Sequence, residues 1–311
     1  MRDNEDFLEF MMKKGDIPRG IPLVAGLTGF TDSGSAVSQF TDYVLDVMTS
    51  QIVAVFDPDE FLDYRARRPT IYFDQDHLTG YEPPRLAIHL VRDEMGRQFF
   101  LLSGYEPDFR WEHFSQTVVN FVSEFDVTES TWVHAIPMPV PHTRPIGTTV
   151  SGNRRDLVEA LSVWRPHTQV PSNAMHLVEY RLGTAGHVVS GFVLLIPHYL
   201  ADAEFPSAAL TSLEMITSAT GLLFPTDRLR EEGRDFIARI DEQLTTNEEL
   251  EKLVRKLEIQ YDKYMKKNMP PEMMRSPLTD IDGELPSAEQ IAAELEAFLS
   301  SRRAPDESPS S

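Results

Sequence analysis

Apolar residues along this chain fall into two alternating textures. Short unbroken runs suit buried strands, and stripes spaced by three and four suit helices lying on a sheet. Leu23-Val24-Ala25 is a run of the first kind, followed by a Gly-rich segment from Gly26 to Gly34. Ser35 can cap the helix that comes next, in which Ala36, Val37, Phe40, Tyr43, Val44 and Val47 share a face. Gln51–Phe56 reads as a second strand, so the chain opens β–loop–α–β, the start of an α/β sheet.

Further strands are expected at Thr70–Phe73, Leu86–Val91 and Phe99–Ser103. The last two flank Asp93-Glu94-Met95-Gly96, a hairpin turn in which Gly96 tolerates positive φ, and a consecutive hairpin makes the sheet mixed. Trp111, Phe114, Val118, Phe121, Val122 and Phe125 form one helical stripe. The strand Thr131–Ile136 runs into Pro137–Pro145, where repeated prolines enforce extended backbone. Val188–Ile196 is a buried strand ending at Pro197-His198-Tyr199, and Pro206 opens a helix that Gly221 ends.

From Thr226 strand signals give way to charged helical repeats. Thr246-Asn247-Glu248-Glu249 and Ser287-Ala288-Glu289-Gln290 both fit the capping box. Leu250, Leu253, Leu257, Tyr261 and Tyr264 form a stripe expected to dock on the core or on a neighbouring subunit. The expected division is a polar lead-in at 1–20, an α/β core at 21–225, a helical extension at 226–303 and a disordered tail at 304–311.

The 311 residues carry a formal net charge of −20, against nucleic acid or an anionic membrane as main partner. The chain has no cysteine, which removes disulfides, thiolate metal sites and a Cys nucleophile. The acidic N-terminus lacks the basic and apolar regions of a signal peptide, and the most apolar stretch, Val188–Pro197, is far short of a membrane span. A cytoplasmic protein is expected.

Gly26, Gly29 and Gly34 resemble neither a dinucleotide fingerprint nor a P-loop, and Asp32 among them works against a phosphate. A tight strand-to-helix turn ordered by Asp32 accounts for the loop. The nine histidines are scattered without metal-ligand spacing, and no G-x-S-x-G occurs. No metal, cofactor or catalytic residue is assigned. Three segments that follow strands are denser in interacting residues: Gly104 to Trp111, Pro141 to Pro145, and Pro197-His198-Tyr199. Loops beyond parallel strand ends converge. Asp32, Glu106, Asp108, Arg110, His142, Arg144 and His198 are therefore expected at one end of the sheet, with at least one Arg–carboxylate pair among them. A structural alternative has Glu106 and Asp108 capping the helix at Trp111, with Arg144 paired to one of them.

Taken in order, Gly26–Gly34, Gly104–Trp111, Pro141-His142-Thr143-Arg144-Pro145 and Pro197-His198-Tyr199-Leu200 resemble the second type of proteasome assembly chaperone family, in its longer actinobacterial-like bacterial branch. The resemblance spans about Ile21 to Phe224. It implies a three-layer α/β/α core similar to nucleoside phosphorylases, with no demonstrated catalytic residues. Archaeal relatives that dock on the proteasome ring end in a hydrophobic–Tyr–any tripeptide, which Pro309-Ser310-Ser311 does not match. The function expected is a non-enzymatic protein-binding or assembly factor acting as a homo-oligomer, a trimer before a dimer. The competing reading is a phosphorylase- or hydrolase-like enzyme using the crevice at the strand ends.

Overall fold

A computed structural model describes residues 7–268. The second capping box, the remainder of the helical extension and the 304–311 tail lie outside the described residues. The chain divides into two compact units, Met1–Tyr261 and Asp262–Ser311, and the sheet with its helical layers belongs to the first.

Among the described residues ten strands are formed: β1 (Leu8–Phe10), β2 (Leu23–Thr28), β3 (Ser50–Phe56), β4 (Thr70–Asp74), β5 (His77–Glu82), β6 (Leu86–Arg92), β7 (Gln98–Tyr105), β8 (Ser130–Met138), β9 (Gly147–Gly152) and β10 (Val189–Pro197). Eight of them make one mixed sheet in the order β1-β3-β6-β7-β2-β8-β10-β9. Its centre, β7-β2-β8-β10, is parallel. The β6–β7 hairpin and the outer pairs β1–β3, β3–β6 and β9–β10 are antiparallel. β4 and β5 stand apart as a two-stranded ribbon, so the strand expected at Thr70–Phe73 does not join the main sheet. The lead-in also contributes: Leu8–Phe10 pairs with β3 at the sheet's edge.

The helices are α1 (Ala36–Val47), α2 (Pro58–Phe61), α3 (Trp111–Glu124), α4 (Arg155–Leu161), α5 (Ala174–Thr184), α6 (Pro206–Thr220), α7 (Asp227–Thr246) and α8 (Glu248–Asn268). Strand alternation sorts them into layers. Leu23, Ala25, Phe100, Leu102 and Trp132 face α3 and α5, meeting Phe114, Val118, Phe121, Val122, Met175 and Val178. Their neighbours Val24, Phe99, Leu101, Val133 and Ala135 face the opposite way, onto Val37, Phe40 and Val44 of α1 and Ala208, Leu213 and Ile216 of α6. The result is a three-layer α/β/α core. Helices of 11–15 residues are marginal alone in water, so burial of these stripes, about 1.5–3 kcal/mol per large side chain, holds them.

Two caps differ from expectation. Ser35 sits in the left-handed region with no side-chain cap bond, and the carboxylate of Asp32 takes the orphan N–H groups of α1 instead. At the start of α8 the cap is Asn247, whose Oδ1 accepts from Leu250 N at 3.0 Å, one residue later than the Thr246 box. Gly26, expected in a loop, is inside β2 opposite Ser103. On α8, Leu257 is buried as the stripe requires, Val254 is buried beside it, and Tyr264 is exposed.

Candidate functional site

Because β7, β2, β8 and β10 run parallel, the segments that follow them leave the sheet at one end. The expected side chains are there by topology, and each is engaged by a residue outside the expected set. Asp32 accepts from the backbone N–H of Val37 (2.8 Å) and Ser38 (3.0 Å) and from the Ser38 hydroxyl (2.9 Å). It neutralises the N-terminus of α1. Glu106 is buried and its Oε1 accepts from Ala174 N at 2.5 Å, so it serves α5 and not the helix at Trp111. Burial pushes this carboxyl above its ordinary range, and the bond from Ala174 and the Arg67 charge only partly offset that.

Asp108 accepts from Asp63 N at 2.8 Å and from the guanidinium of Arg67. It too leaves α3 uncapped. Arg110 is exposed, pairs with Glu60 at 2.8 Å and lies over the Phe7 ring. Arg144 reaches Glu258 on α8 at 3.1 Å. The carboxylate partners of both arginines are thus ones that the strand-end reading did not include. The Arg144–Glu258 pair is about 30% exposed on each side (31%/29%), which puts it nearer the surface case than the buried one. Arg144→Ala is expected to cost about 1 kcal/mol or less, measured as a shift in urea midpoint. A loss of about 3–5 kcal/mol would show a desolvated pair.

His142 has a fully buried side chain at the other side of this end. Its backbone N–H donates to the Tyr199 hydroxyl oxygen (2.8 Å), its Nδ1 lies 2.7 Å from the same oxygen, and Nε2 is 3.3 Å from Asp241 Oδ1 on α7. A Tyr199 O–H donated to Nδ1, with Nε2–H donated to Asp241, satisfies all three. Burial pushes the Tyr199 hydroxyl up to about 12, so it stays protonated. His198 is exposed and meets only the edge of Tyr199, ring centroids 5.5 Å apart. Four of the seven expected residues therefore fall into two groups, while Asp32, Arg110 and Arg144 each have partners of their own. Glu106 and Asp108 gather with Arg67 beside β2 and β7, and His142 and His198 gather on Tyr199 beside β8 and β10.

Residues beyond the expected set complete the first group. Arg67 lies over the Tyr105 ring and beside Gly29. His134 of β8 is buried under Phe30, which stacks on it at 5.6 Å and 16°. His176 stands 6.3 Å from His134 and 5.1 Å from Trp132. Burial, then the neighbouring His176, depress the His134 imidazole to about 4, so it is neutral at pH 7. Behind it Glu179 accepts from Trp132 Nε1 (2.6 Å) and the Ser151 hydroxyl (2.7 Å), and burial pushes its carboxyl up. Gly191 leaves room for that junction, since a Cβ there would stand 2.5 Å from both Glu179 Oε2 and Trp132 Nε1. The signal for His134 was present: it lies two residues after Trp132 and so on the same face of the strand.

Among the described residues no group of three His, Asp or Glu side chains is placed to hold a metal ion. A cleft of about 430 Å³ is lined by Glu112 and Gln116 of α3 and by Leu177, Tyr180 and Arg181 of α5. No described helix is long and apolar enough to cross a membrane.

Comparison with known proteins adds relatives. The model of the PAC2 family matches residues 26–244. A Corynebacterium glutamicum protein of unknown function, 32% identical, superposes with a TM-score of 0.79 over 85% of this chain and 99% of its own. A Mycobacterium tuberculosis protein of unknown function is 36% identical, with a TM-score of 0.77 over 84% and 90% of the two chains. A Mycobacterium tuberculosis proteasome-assembly chaperone homologue shares the fold at 20% identity, TM-score 0.68, over 75% of this chain and 100% of its own. No curated protein matches the chain.

Proposed function

This chain belongs to the PAC2 family, and we propose that it is a non-enzymatic protein-binding factor that assists assembly, acting as a homo-oligomer in the cytoplasm. The observation that carries this reading is the use made of the strand-end carboxylates. Asp32 and Glu106, the two placed best for acid–base work, each neutralise a helix N-terminus. Asp108 is held by Arg67 and the backbone of Asp63. A general base must reach a substrate proton, whereas the hydrogen bonds of Asp32 and Asp108 and the bond to Glu106 Oε1 all go to the scaffold. The same end of the sheet exposes Phe30, Tyr105 and Phe109, side chains suited to protein contact. The fold shared with a proteasome-assembly chaperone homologue names the class of partner to try first.

The test mixes the purified full chain with separately purified proteasome α- and β-type subunits of its own organism and follows ring formation on native gels. Faster ring formation, or a stable complex with unassembled subunits, is the expected result. The reading fails if the subunits are unaffected and the protein instead turns over a nucleoside or amide in a manner abolished by Glu106→Gln.

A further inference from the structure

Two hollows along α3 and α5 take no part in the strand-end groups. One is the cleft of about 430 Å³, a size usual for small-molecule sites. The other, about 230 Å³, is lined by Phe7 and by His113, Thr117 and Asn120 of α3. Glu112, Gln116 and Arg181 line both, so the two make one trough with the Glu112–Arg181 ion pair as a shared wall.

The lining defines what the trough can hold. An anion would meet Glu112 and a cation would meet Arg181, so a ligand carrying net charge is disfavoured on either sign. Gln116 Nε2 donates to Asn120 Oδ1 at 2.9 Å, which leaves Gln116 Oε1 to accept and Asn120 Nδ2 to donate. The Thr117 and Thr184 hydroxyls donate to the helix carbonyls of His113 and Tyr180 and keep acceptor capacity. Arg181 Nε is buried and meets no acceptor among the described residues, so the wall holds a donor that an uncharged oxygen would satisfy. Tyr180, 72% exposed, lines the larger hollow and offers an aromatic plate to the C–H face of a sugar ring. Interspersed donors and acceptors, mutually neutralised charges and one aromatic plate match a neutral, polyhydroxylated ligand. Amide, carboxylate and guanidinium groups are planar forks that can bridge adjacent hydroxyls. An extended peptide fits less well. It is read by the open backbone of a sheet edge, and both walls here are helices whose backbone groups bond along the helix.

We propose that the α3–α5 trough is a carbohydrate site for a neutral glycan of about disaccharide size, with Tyr180 stacked on one ring and Gln116, Asn120 and the Glu112–Arg181 pair taking its hydroxyls. The inference does not rest on the assembly reading. A protein that binds no sugar and still engages proteasome subunits would remove the site and leave that reading in place.

Saturation-transfer NMR on the full chain, with maltose, cellobiose and trehalose each at about 5 mM, reads the contact directly. At least one of the three is expected to receive saturation and to titrate with a Kd of about 1 mM or below. Tyr180→Ala and Gln116→Ala are each expected to weaken that binding about tenfold, with melting temperature unchanged because both side chains are exposed. Met95→Ala, at an exposed position of the β6–β7 turn, is expected to leave binding as it is. Inorganic phosphate and trialanine, each added at the sugar's concentration, are expected not to displace it. Absence of transfer to all three sugars overturns the proposal. So does transfer that Tyr180→Ala leaves unchanged, which would place the contact elsewhere. Displacement by phosphate or by trialanine also overturns it, and would make the trough an anion or a peptide site.

Discussion

Replacing Gly104 with valine is expected to abolish stable folding, with a loss of more than about 4 kcal/mol out of the roughly 5–15 kcal/mol that holds a typical domain. Gly104 lies at the open end of the β6–β7 hairpin, opposite Leu86, with φ +123°, a conformation that L side chains rarely adopt. A Cβ there would overlap the carbonyl oxygen of Arg85 and lie 2.9 Å from Leu86 Cα. Those are backbone atoms of the adjacent strand, so no rotamer change relieves the clash, and strain from the positive φ adds about 1–3 kcal/mol. The same bend sends the chain into Glu106, whose N–H donates to Thr28 O (2.6 Å) and whose carboxylate holds α5. The damage therefore spreads from the β6–β7 pair to the α5 layer. Urea unfolding checks it, with Gly15→Ala as the control. Gly15 is exposed and has nothing within 4 Å of a built Cβ, so its change should stay within about 0.5 kcal/mol. A Gly104→Val protein with a midpoint near that of the wild type would show that the strand pair can move apart.

The difference between those two glycines is invisible in the sequence, because it is set by which backbone lies across from each. Periodicity recovers whatever is decided by one buried face. The α1 stripe, the β6–β7 hairpin, α3, β10 and the Pro206-to-Gly221 helix all stand where their apolar residues place them. It fails for α5, whose 11 residues are capped by Asn173 and His176, a reciprocal pair outside the usual Ser/Thr-x-x-Glu pattern. It also fails for β9, a short edge strand with few large apolar residues. At the strand ends the pattern finds the right loops and the wrong partners. Residues such as Glu106 and Ala174 meet across 68 positions, and Arg144 and Glu258 across 114, so the pairing depends on layer order, which local spacing does not encode. Arg67 illustrates this best. It stands in an ordinary basic run, yet the fold turns it onto Asp108 and Tyr105.

Acidification is expected to reveal His134. Its imidazole is depressed from an ordinary 6.5 to about 4, because burial beneath Phe30 and beside His176 disfavours the cation. Between those two values the unfolded chain binds a proton at this position that the folded chain does not. Stability contributed by the neutral ring is therefore complete above about pH 6.5, falls as pH drops toward 4, and changes no further below that. Full linkage over this window amounts to about 3 kcal/mol. Buried carboxyls act in the opposite direction. Glu106 and Glu179 are raised by burial, so the folded state holds their protons more tightly and gains stability as pH falls through their range. The wild-type curve sums these effects with those of His89 and His176, which burial also depresses, and the difference between wild type and His134→Phe reports the His134 imidazole together with its coupling to His176. The variant keeps an aromatic ring against Phe30, and its absolute stability is not the readout. Denaturant unfolding at intervals from about pH 7.5 to pH 4 should show the wild type losing about 3 kcal/mol more than His134→Phe across that range. Parallel curves would mean that His134 reaches water or a proton acceptor in the folded protein, and that Phe30 does not seal it.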